Sequence, residues 1–412
     1  MMLQNRLKKS WPRQNLYITT ECCIYRVPYE IRQFNDDAYT PKVISIGPYH
    51  YGHERLQNME SHKLIYCKRF IERTKTSLES LVSCVQESEP DVRRCYSESI
   101  KLSVEEFVEL ILVDCCFIFE LFLTHDSKVG NAIPFEGWLE SCIAYDLLLL
   151  ENQLPFFILV KLYTLALPSS LNNNIDQYPP SLENLIFKYF KKCNLQLRDT
   201  TASMKHFTDM LRISHLPPPD ARPARTGQLP RQIYSATELV EAGVKFRVKK
   251  EGHLLDFKFS GHHLEIPKLY LGDDTEILFR NMMALEQFHY LHESYFTDYV
   301  VVLDYLINTS KDVDVLVQNE IIKNMLGNNE AVAELFNGLY KNIVQTRFNS
   351  DYSYISSQLE KYCNHPWNEA MATLRRDYWR TPWQIVASIA GILLLILTVI
   401  QTVCSVLQVL HP

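Results

Sequence analysis

Glycine is scarce in this chain, with 12 in 412 residues, less than half of its usual share in soluble proteins. Nucleotide-binding α/β folds need glycine-rich turns that bring the backbone close to phosphate groups. The sequence contains no Walker sequence, no G-x-G-x-x-G run and no G-x-S-x-G elbow. A Rossmann enzyme, a P-loop enzyme and an α/β-hydrolase are therefore disfavoured.

Long runs of one charge sign are also missing. The chain has 42 Lys and Arg against 48 Asp and Glu, which gives a formal net charge of -6. Proteins that bind a phosphate backbone usually carry a basic patch or stripe. We therefore expect no nucleic-acid partner.

The 11 cysteines do not form a disulfide or zinc pattern, because no two have C-x-x-C spacing. This predicts a reducing compartment. Residues 1–21 form a tail in which no apolar run follows the basic residues, so we expect no secretory signal peptide. These basic residues are Arg6, Lys8, Lys9 and Arg13.

The strongest single signal lies near the C-terminus. Residues 381–412 contain no Lys, Arg, Asp or Glu, and residues 383–410 read WQIVASIAGILLLILTVIQTVCSVLQVL. This run is longer than the roughly 20 apolar residues that cross a bilayer core. We predict a transmembrane helix at 383–407, with the lipid bilayer as its partner. A buried core helix is the alternative, which Gln384, Gln401 and Gln408 mildly favour.

Flanking residues predict the orientation of this helix. Arg375, Arg376 and Arg380 precede the run, and Trp379 and Trp383 lie where an aromatic belt would form. Basic residues favour the cytosolic side of a span. We therefore expect a single-pass, tail-anchored protein in the plasma membrane or an endomembrane, with its large N-terminal part in the cytosol.

The remainder of the chain is predicted to be mainly α-helical. Residues 101–123 are apolar almost all round, but acids interrupt them, so they suit a buried central helix better than a bilayer span. A second helix is expected at 140–154, and Pro155 should end it before a third begins at 156.

One part of the chain has strand periodicity. Residues 244–271 alternate in short apolar and polar runs bounded by Gly and His, which predicts a small antiparallel hairpin or sheet. A capped helix should precede it, with Ser235 as N-cap and Gly243 as its stop. The Pro/Arg-rich stretch 216–231 is predicted to be a linker inside one domain, 22–378.

Seven motifs occur together in this order and closely resemble the plant family catalogued as domain of unknown function 247. They extend from about Cys22 to Leu407. The motifs are CIYRVPYEIRQFNDDAYTPKVISIGPYHYGHERLQNMESHK, LVDCCFIFELFL, DLLLLENQLPFFILVKLY, ATELVEAGVKF, LEIPKLYLGDDTE, RNMMALEQ and LRRDYWRTPWQIVASIAGILLLILTVIQTV.

The resemblance implies a helical, cytosolic-type domain with a C-terminal span in a plant protein, and no established catalytic activity. Some family members are tied to grass self-incompatibility as pollen-side determinants, which implies recognition of a partner. In this chain Tyr51 stands where the family usually has a second His after GPYH. This substitution weakens any role that would need a histidine pair there.

Several acids lie within apolar helical sequence, where an isolated carboxylate is costly. They are Asp114, Glu120, Asp146 and Glu151. One interpretation is a pair of carboxylates for acid/base catalysis. The favoured one is a buried polar network of Asp114, Glu151, Asn152 and Gln153 that supports the helix break, and Glu286 and Gln287 are candidates to join it.

Two histidine groups are candidate metal ligands. His50 and His53 with Glu54 lie in a loop without further ligands in sequence, and His289, His292 and Glu293 have the wrong order for a zincin motif. We therefore assign no metal, cofactor or catalytic residue.

The expected function is partner recognition or scaffolding at a membrane surface, of the kind used in signalling or self-incompatibility, with an unidentified protein as partner. The alternative is an uncharacterised enzyme that uses buried carboxylates. Convergence of Asp114, Glu151 and Glu286 in an open pocket would favour the enzyme, whereas acids that are sealed and hydrogen-bonded would favour the interaction protein.

Overall fold

The computed structural model describes most of the chain. It covers residues 21–74, 76–126, 137–168, 180–192, 204–229, 234–345, 347–378 and 382–410. The expected tail 1–21 lies outside the described residues except for Glu21.

Sixteen helices and five short strands occur in these residues. The helices are α1 (Tyr29–Arg32), α2 (Gln57–Thr74), α3 (Leu78–Arg94), α4 (Val104–Asp126), α5 (Gly137–Asp146), α6 (Phe156–Ala166), α7 (Leu182–Lys192), α8 (Phe207–His215), α9 (Ala236–Ala242), α10 (Thr275–Phe288), α11 (Tyr295–Leu306), α12 (Ser310–Gln318), α13 (Asn329–Leu339), α14 (Ser350–Cys363), α15 (Pro366–Tyr378) and α16 (Pro382–Leu410). The strands are β1 (Lys245–Lys249), β2 (Lys258–Ser260), β3 (His263–Pro267), β4 (Leu269–Leu271) and β5 (Ile322–Asn324). The prediction of a mainly α-helical fold with a small β insert is confirmed.

The chain divides into two compact units. Unit 1 comprises Met1–Pro217, Asp274–Thr297 and Lys341–Val344, and unit 2 comprises Pro218–Asp273, Asp298–Tyr340 and Gln345–Pro412. The first boundary falls in the Pro/Arg-rich stretch 216–231. Part of this stretch is packed: within unit 2, Arg225 is buried and two of its nitrogens pair with Asp298 at 2.9 Å.

Helix α4 forms the centre of unit 1. It begins with a reciprocal cap, in which the Glu106 backbone N–H donates to Ser103 Oγ and the Ser103 N–H donates to the Glu106 carboxylate. Aromatic side chains of α4 pack against α2, as in the pairs Tyr66 with Phe117 and Phe70 with Phe119. The predicted buried central helix is therefore confirmed.

The helix that was expected at 140–154 is shorter in the structure. Helix α5 ends at Asp146, and residues 147–154 follow a turn and an irregular path before α6 begins at Phe156. Leu147, Leu148 and Leu150 are fully buried on this path. The apolar run indicated burial correctly, but burial alone does not distinguish a helix from an irregular core segment.

The sheet of unit 2 corrects one detail of the prediction. Strand β3 lies between β1 and β2; it pairs antiparallel with β2 but parallel with β1. The antiparallel pair follows from the tight connection at Gly261, whereas residues 250–257 carry the chain across to the far edge. Strands β4 and β5 form a second, parallel pair.

Helix α9 matches its sequence signals. Ser235 and Glu238 form a capping box at its start, and Gly243, at φ 100°, ends it in the left-handed conformation. Helix α16 begins at Pro382, a position where a missing N–H costs nothing.

Candidate functional site

The 42–50 segment, which reads KVISIGPYH, runs through unit 1 without regular secondary structure. Ile44, Ser45 and Ile46 are almost completely buried. A buried N–H without a partner is costly, and this segment has no neighbouring strand in the described chain to pair with. Side chains must therefore satisfy its backbone, and three of them, Asp114, Asp146 and Asn152, were selected from the sequence.

Asp146 binds the start of the 42–50 segment. Its two carboxylate oxygens accept hydrogen bonds from the backbone N–H groups of Lys42, Val43 and Ile44, at 2.8, 2.8 and 2.9 Å. Burial raises the pKa of Asp146 to about 6, although these N–H groups act in the opposite direction. The carboxylate thus takes the place of a missing strand partner.

Asn152 binds the middle of the same segment. Its Oδ1 accepts from Ile46 N at 2.7 Å, and its Nδ2 donates to the carbonyls of Ile44 and Asp146 at 3.0 and 2.9 Å. All three bonds are buried. Asn152 therefore joins the segment to the end of α5.

Gln153 explains why α5 does not continue. Its Nε2 donates to the carbonyls of Leu147 and Leu149, both at 2.7 Å, and its Oε1 accepts from Phe207 N at 2.9 Å. These carbonyls would accept from the backbone if the helix ran on. The side-chain amide replaces the helical hydrogen bonds and also ties α8 to the break.

Asp114 forms a buried ion pair with Lys63 of α2. Lys63 Nζ lies 2.6 Å from Asp114 Oδ1 and donates to the Ser45 carbonyl at 2.9 Å, while Gly47 N donates to Asp114 Oδ2 at 2.8 Å. Burial raises the pKa of Asp114 to about 6 and the lysine opposes that rise. For Lys63, burial acts to lower the pKa, but the charges of Asp114 and Glu60 raise it overall.

Glu151 forms a third buried cluster. Its Oε1 accepts from Val27 N at 2.8 Å and pairs with Arg32, and its Oε2 lies 3.3 Å from Arg26 Nη1 and 3.4 Å from His50 Nε2. Burial alone would raise its pKa, but the adjacent His50 imidazole and the charge of Arg32 lower the pKa of Glu151 below the ordinary value.

Glu286 lies in a separate cluster with its own cation. Arg212 Nε donates to its Oε1 at 2.9 Å, and the N–H groups of Phe296 and Thr297 bind it at 3.1 and 2.8 Å. Glu120, likewise, is paired with Arg73 at 2.7 Å. Asp114, Glu151 and Glu286 therefore do not converge in one open pocket.

The predicted support of the break is correct for Asn152 and Gln153. Asp114, Glu151 and Glu286 belong to separate clusters and do not hydrogen-bond to these two amides, so the predicted single network is wrong in that respect. Sequence analysis missed Asn281 on the same helix as Glu286. Asn281 Oδ1 accepts from Leu150 N at 2.8 Å, and its Nδ2 donates to Ala38 O at 2.7 Å. Gln287 is partly buried and accepts a solvent-exposed hydrogen bond from Val344 N at 3.1 Å.

Two of the four candidate histidines, His53 and His289, form hydrogen bonds with neighbouring groups. His53 caps a short turn by accepting from Arg55 N at 3.3 Å, and His289 Nδ1 lies 2.9 Å from Tyr25 Oη. Among the described residues, no group of three or more His, Cys, Asp or Glu side chains is arranged to hold a metal ion.

Helix α16 is the apolar element predicted at the C-terminus. Trp383–Leu407 has a mean hydropathy of 2.4 over its most apolar stretch, and none of that stretch is buried. At 1.5 Å per residue its 25 residues extend over about 37 Å, more than a hydrocarbon core of about 30 Å. The helix is therefore long and apolar enough to cross a membrane.

Three hydroxyl groups of α16 are satisfied within the helix. Thr398 and Thr402 each donate to the carbonyl four residues earlier at 2.7 Å, and Ser405 does so at 2.8 Å. A hydroxyl bound in this way can enter hydrocarbon without leaving a free donor. These three polar side chains are therefore compatible with an apolar environment around α16.

These features define a class: a mainly helical protein with sealed ionic clusters and a C-terminal helix of membrane-spanning length. The chain belongs to the family of plant proteins of unknown function designated domain of unknown function 247, whose profile matches residues 24–397. The resemblance found in the sequence is confirmed.

Two curated plant proteins are similar over nearly their whole length. One is UPF0481 protein At3g47200 of Arabidopsis thaliana, 31% identical over 95% of this chain and 87% of that protein. Another is Putative UPF0481 protein At3g02645 of Arabidopsis thaliana, 24% identical over 92% of this chain and 89% of that protein. No solved structure matches the chain.

Proposed function

We propose that this protein is a membrane-anchored recognition protein, which binds a protein partner at the cytosolic face of a plant membrane. The observation that carries the proposal is the exposure of α16: an apolar helix of 25 residues with no buried side chain is costly in water and stable in a bilayer. The anchor gives the helical domain a fixed place at a surface.

The state of the buried acids supports recognition in preference to catalysis. Asp114, Glu151 and Glu286 are each sealed in unit 1, and each is bound to its own cation and to backbone N–H groups. An acid/base pair must share access to a substrate, whereas these carboxylates hold chain segments together.

Proximity labelling in plant cells tests the proposal. The labelling enzyme is placed at the N-terminus of the full chain and of a chain truncated after Tyr378. We expect a partner set for the full chain that shrinks on truncation, since the anchor concentrates partners at the membrane. Partners that persist without the anchor would show that the domain recognises them by itself. A set no different from background would contradict recognition.

The orientation has a reporter in the chain itself. Asn308, Thr309 and Ser310 form a glycosylation sequon, and Asn308 is exposed in unit 2. A cytosolic domain leaves it unmodified. A glycan at Asn308, removed by a glycosidase and absent from Asn308→Gln, would contradict the cytosolic orientation.

A further inference from the structure

An open apolar groove lies in unit 1 between helices α2, α3 and α4. Its volume is about 660 Å³. All three helices contribute apolar walls to it. The apolar lining residues are Leu64, Cys67 and Ile71 of α2, Leu78 and Val82 of α3, and Val104, Val108, Leu112 and Val113 of α4.

The walls of this groove are exposed, although the same helices bury their other sides. Leu64, Leu78 and Val104 are 55%, 48% and 45% exposed, one from each helix. By contrast, Phe70 of α2 and Phe107 of α4 are fully buried. Three large apolar side chains that converge on one open groove form a patch of the kind that marks an interaction site.

The rim of the groove carries excess negative charge. Lys68 lies 3.9 Å from Glu72, so its charge is balanced within α2. Glu105 and Glu109 of α4 also line the groove and are exposed, and neither forms an ion pair with any described residue. An occupant with Lys or Arg opposite these two acids would be attracted, and an anionic occupant would be repelled.

The dimensions of the groove suit a short helix. From Leu64 to Ile71 the wall of α2 spans about 10 Å, and from Val104 to Val113 the wall of α4 spans about 13 Å, at 1.5 Å per residue. A helix in such a groove inserts apolar residues at i, i+4 and i+7. These three residues cover about 10 Å, which matches the α2 wall.

We propose that this groove binds an amphipathic helix of a partner protein, whose apolar residues at i, i+4 and i+7 fill the groove and whose Lys or Arg residues face Glu105 and Glu109. The inference rests on the proposed recognition function and names its surface and its class of partner. Membrane attachment is not required for the contact itself.

A selection experiment tests the groove with the full chain in nanodiscs of neutral lipid. The probe is a phage-displayed library of 14-residue peptides with Leu fixed at i, i+4 and i+7 and with Lys, Glu, Gln or Ala elsewhere. Empty nanodiscs remove lipid binders first. We expect the enriched peptides to be basic beside the apolar stripe, and a synthetic copy of one of them to bind in fluorescence anisotropy.

Matched substitutions locate the binding site. Leu64→Asp should lower the affinity for the peptide by about tenfold or more, the effect of losing one buried apolar contact. Ile65→Asp should leave the affinity unchanged, since Ile65 is the next residue on α2, is similarly exposed, and does not line the groove. All these side chains are exposed, so the fold is not expected to change.

Charge reversal gives a readout that a loss of folding cannot imitate. Glu105→Lys with Glu109→Lys should reverse the preference from basic to acidic peptides, whereas Glu87→Lys on α3, away from the groove lining, should not. Peptides that ignore this reversal, or no enrichment over empty nanodiscs, would overturn the proposal.

Two other occupants are distinguishable outcomes. Self-association of the full chain that Leu64→Asp abolishes would assign the groove to a second copy. Peptide binding that appears only after residues 1–20 are removed would assign it to the chain's own tail. Either result would overturn the proposal that a partner's helix occupies the groove. If no peptide binds but proximity labelling still yields partners, the groove proposal fails and the proposed recognition function stands.

Discussion

Gly47 occupies a position that no other residue can take without displacing its neighbours. Its φ of 71° lies in the left-handed region, and a Cβ there would lie 2.5 Å from the Gln153 carbonyl oxygen and 3.0 Å from Tyr96 Oη. That carbonyl is already held by the Tyr96 hydroxyl at 2.9 Å. Gly47 N also binds Asp114. The residue thus lets the 42–50 segment pass against the α5–α6 break.

We predict that Gly47→Ala lowers the free energy of unfolding by about 3 kcal/mol, from backbone strain plus overpacking. Gly52→Ala is the control, because Gly52 has a φ of 79° but open space where the Cβ would lie. That variant should lose only about 1 kcal/mol. Chemical denaturation of the full chain in detergent, followed by circular dichroism, measures both. Equal losses would contradict the close approach to Gln153.

His206 shows how one buried side chain sets a dependence on pH. Its Nε2 lies 3.0 Å from the Cys23 carbonyl and its Nδ1 accepts from Asp209 N, so the geometry holds a neutral imidazole. Burial lowers the pKa of His206 to about 4. Between pH 6.5 and 4 the unfolded chain therefore binds a proton at His206 that the folded chain does not, and stability falls as the pH falls.

We predict that His206→Gln reduces the acid sensitivity of the protein. From pH 7.5 to pH 5, the wild-type chain should lose about 2 kcal/mol more than the variant. Asp114 and Asp146 act in the opposite direction, because their pKa values are raised to about 6 and their protonation stabilises the folded chain as the pH falls. This contribution is common to both chains, so the difference between them isolates His206. The same pH dependence in both chains would contradict a neutral, buried His206.

At the scale of elements, the break between α5 and α6 organises unit 1. Residues 151–153 bind three different parts of the chain: Glu151 binds the backbone of Val27, Asn152 binds the 42–50 segment, and Gln153 binds the start of α8. In each case a side-chain oxygen of the irregular path accepts a backbone N–H that would otherwise be buried without a partner. The irregular path is thus what joins the segments.

Replacement of Asn152 should therefore be costly. Asn152→Leu keeps the size of the side chain but removes three buried hydrogen bonds, and we expect a loss of about 3 kcal/mol in the free energy of unfolding. Gln287→Leu is the control, since this amide accepts one exposed hydrogen bond from Val344 N. Denaturation curves of the two variants give the comparison. If Asn152→Leu is as stable as Gln287→Leu, the backbone does not depend on this amide.

Glu151 tests whether a buried acid is structural. Glu151→Gln removes the negative charge that faces Arg26 and Arg32, and we expect a loss of about 2 kcal/mol, less than for a fully sealed pair because Arg26 is partly exposed. Glu98→Gln is the matched control: Glu98 pairs with the same Arg26 at 3.0 Å but is 54% exposed, so it should change little. A Glu151→Gln chain with unchanged stability that loses a measurable activity would favour the enzyme alternative.

At the scale of the whole molecule, α16 is the element on which the proposed membrane anchor depends. Its apolar side chains, from Trp383 to Leu407, are open to the surroundings along their whole length. Such a surface drives either insertion into a bilayer or aggregation. The rest of the described chain has no other helix that is both long and apolar enough to span a membrane.

We predict that the full chain stays in the membrane pellet after alkaline carbonate extraction. Leu394→Arg combined with Leu397→Arg should release it, because two charges in mid-span are costly in hydrocarbon. Leu394→Ala with Leu397→Ala keeps the span apolar and should not. Release of the unmodified chain would contradict a membrane span.

The sequence by itself determined the helical class, the capped ends of α9, the apolar length of α16 and the family. These are local features, in which caps, periodicity and composition act over a few neighbouring residues. Only the tertiary structure decided which groups Asp114, Asp146, Glu151, Asn152 and Gln153 satisfy, and that Asn281 belongs with them. Their partners lie far away along the chain, up to 243 residues for Asn281 and Ala38. The parallel pairing of β1 with β3 was decided in the same way. Which buried acid meets which N–H group depends on how the irregular segments cross in the core, and no local pattern encodes that crossing.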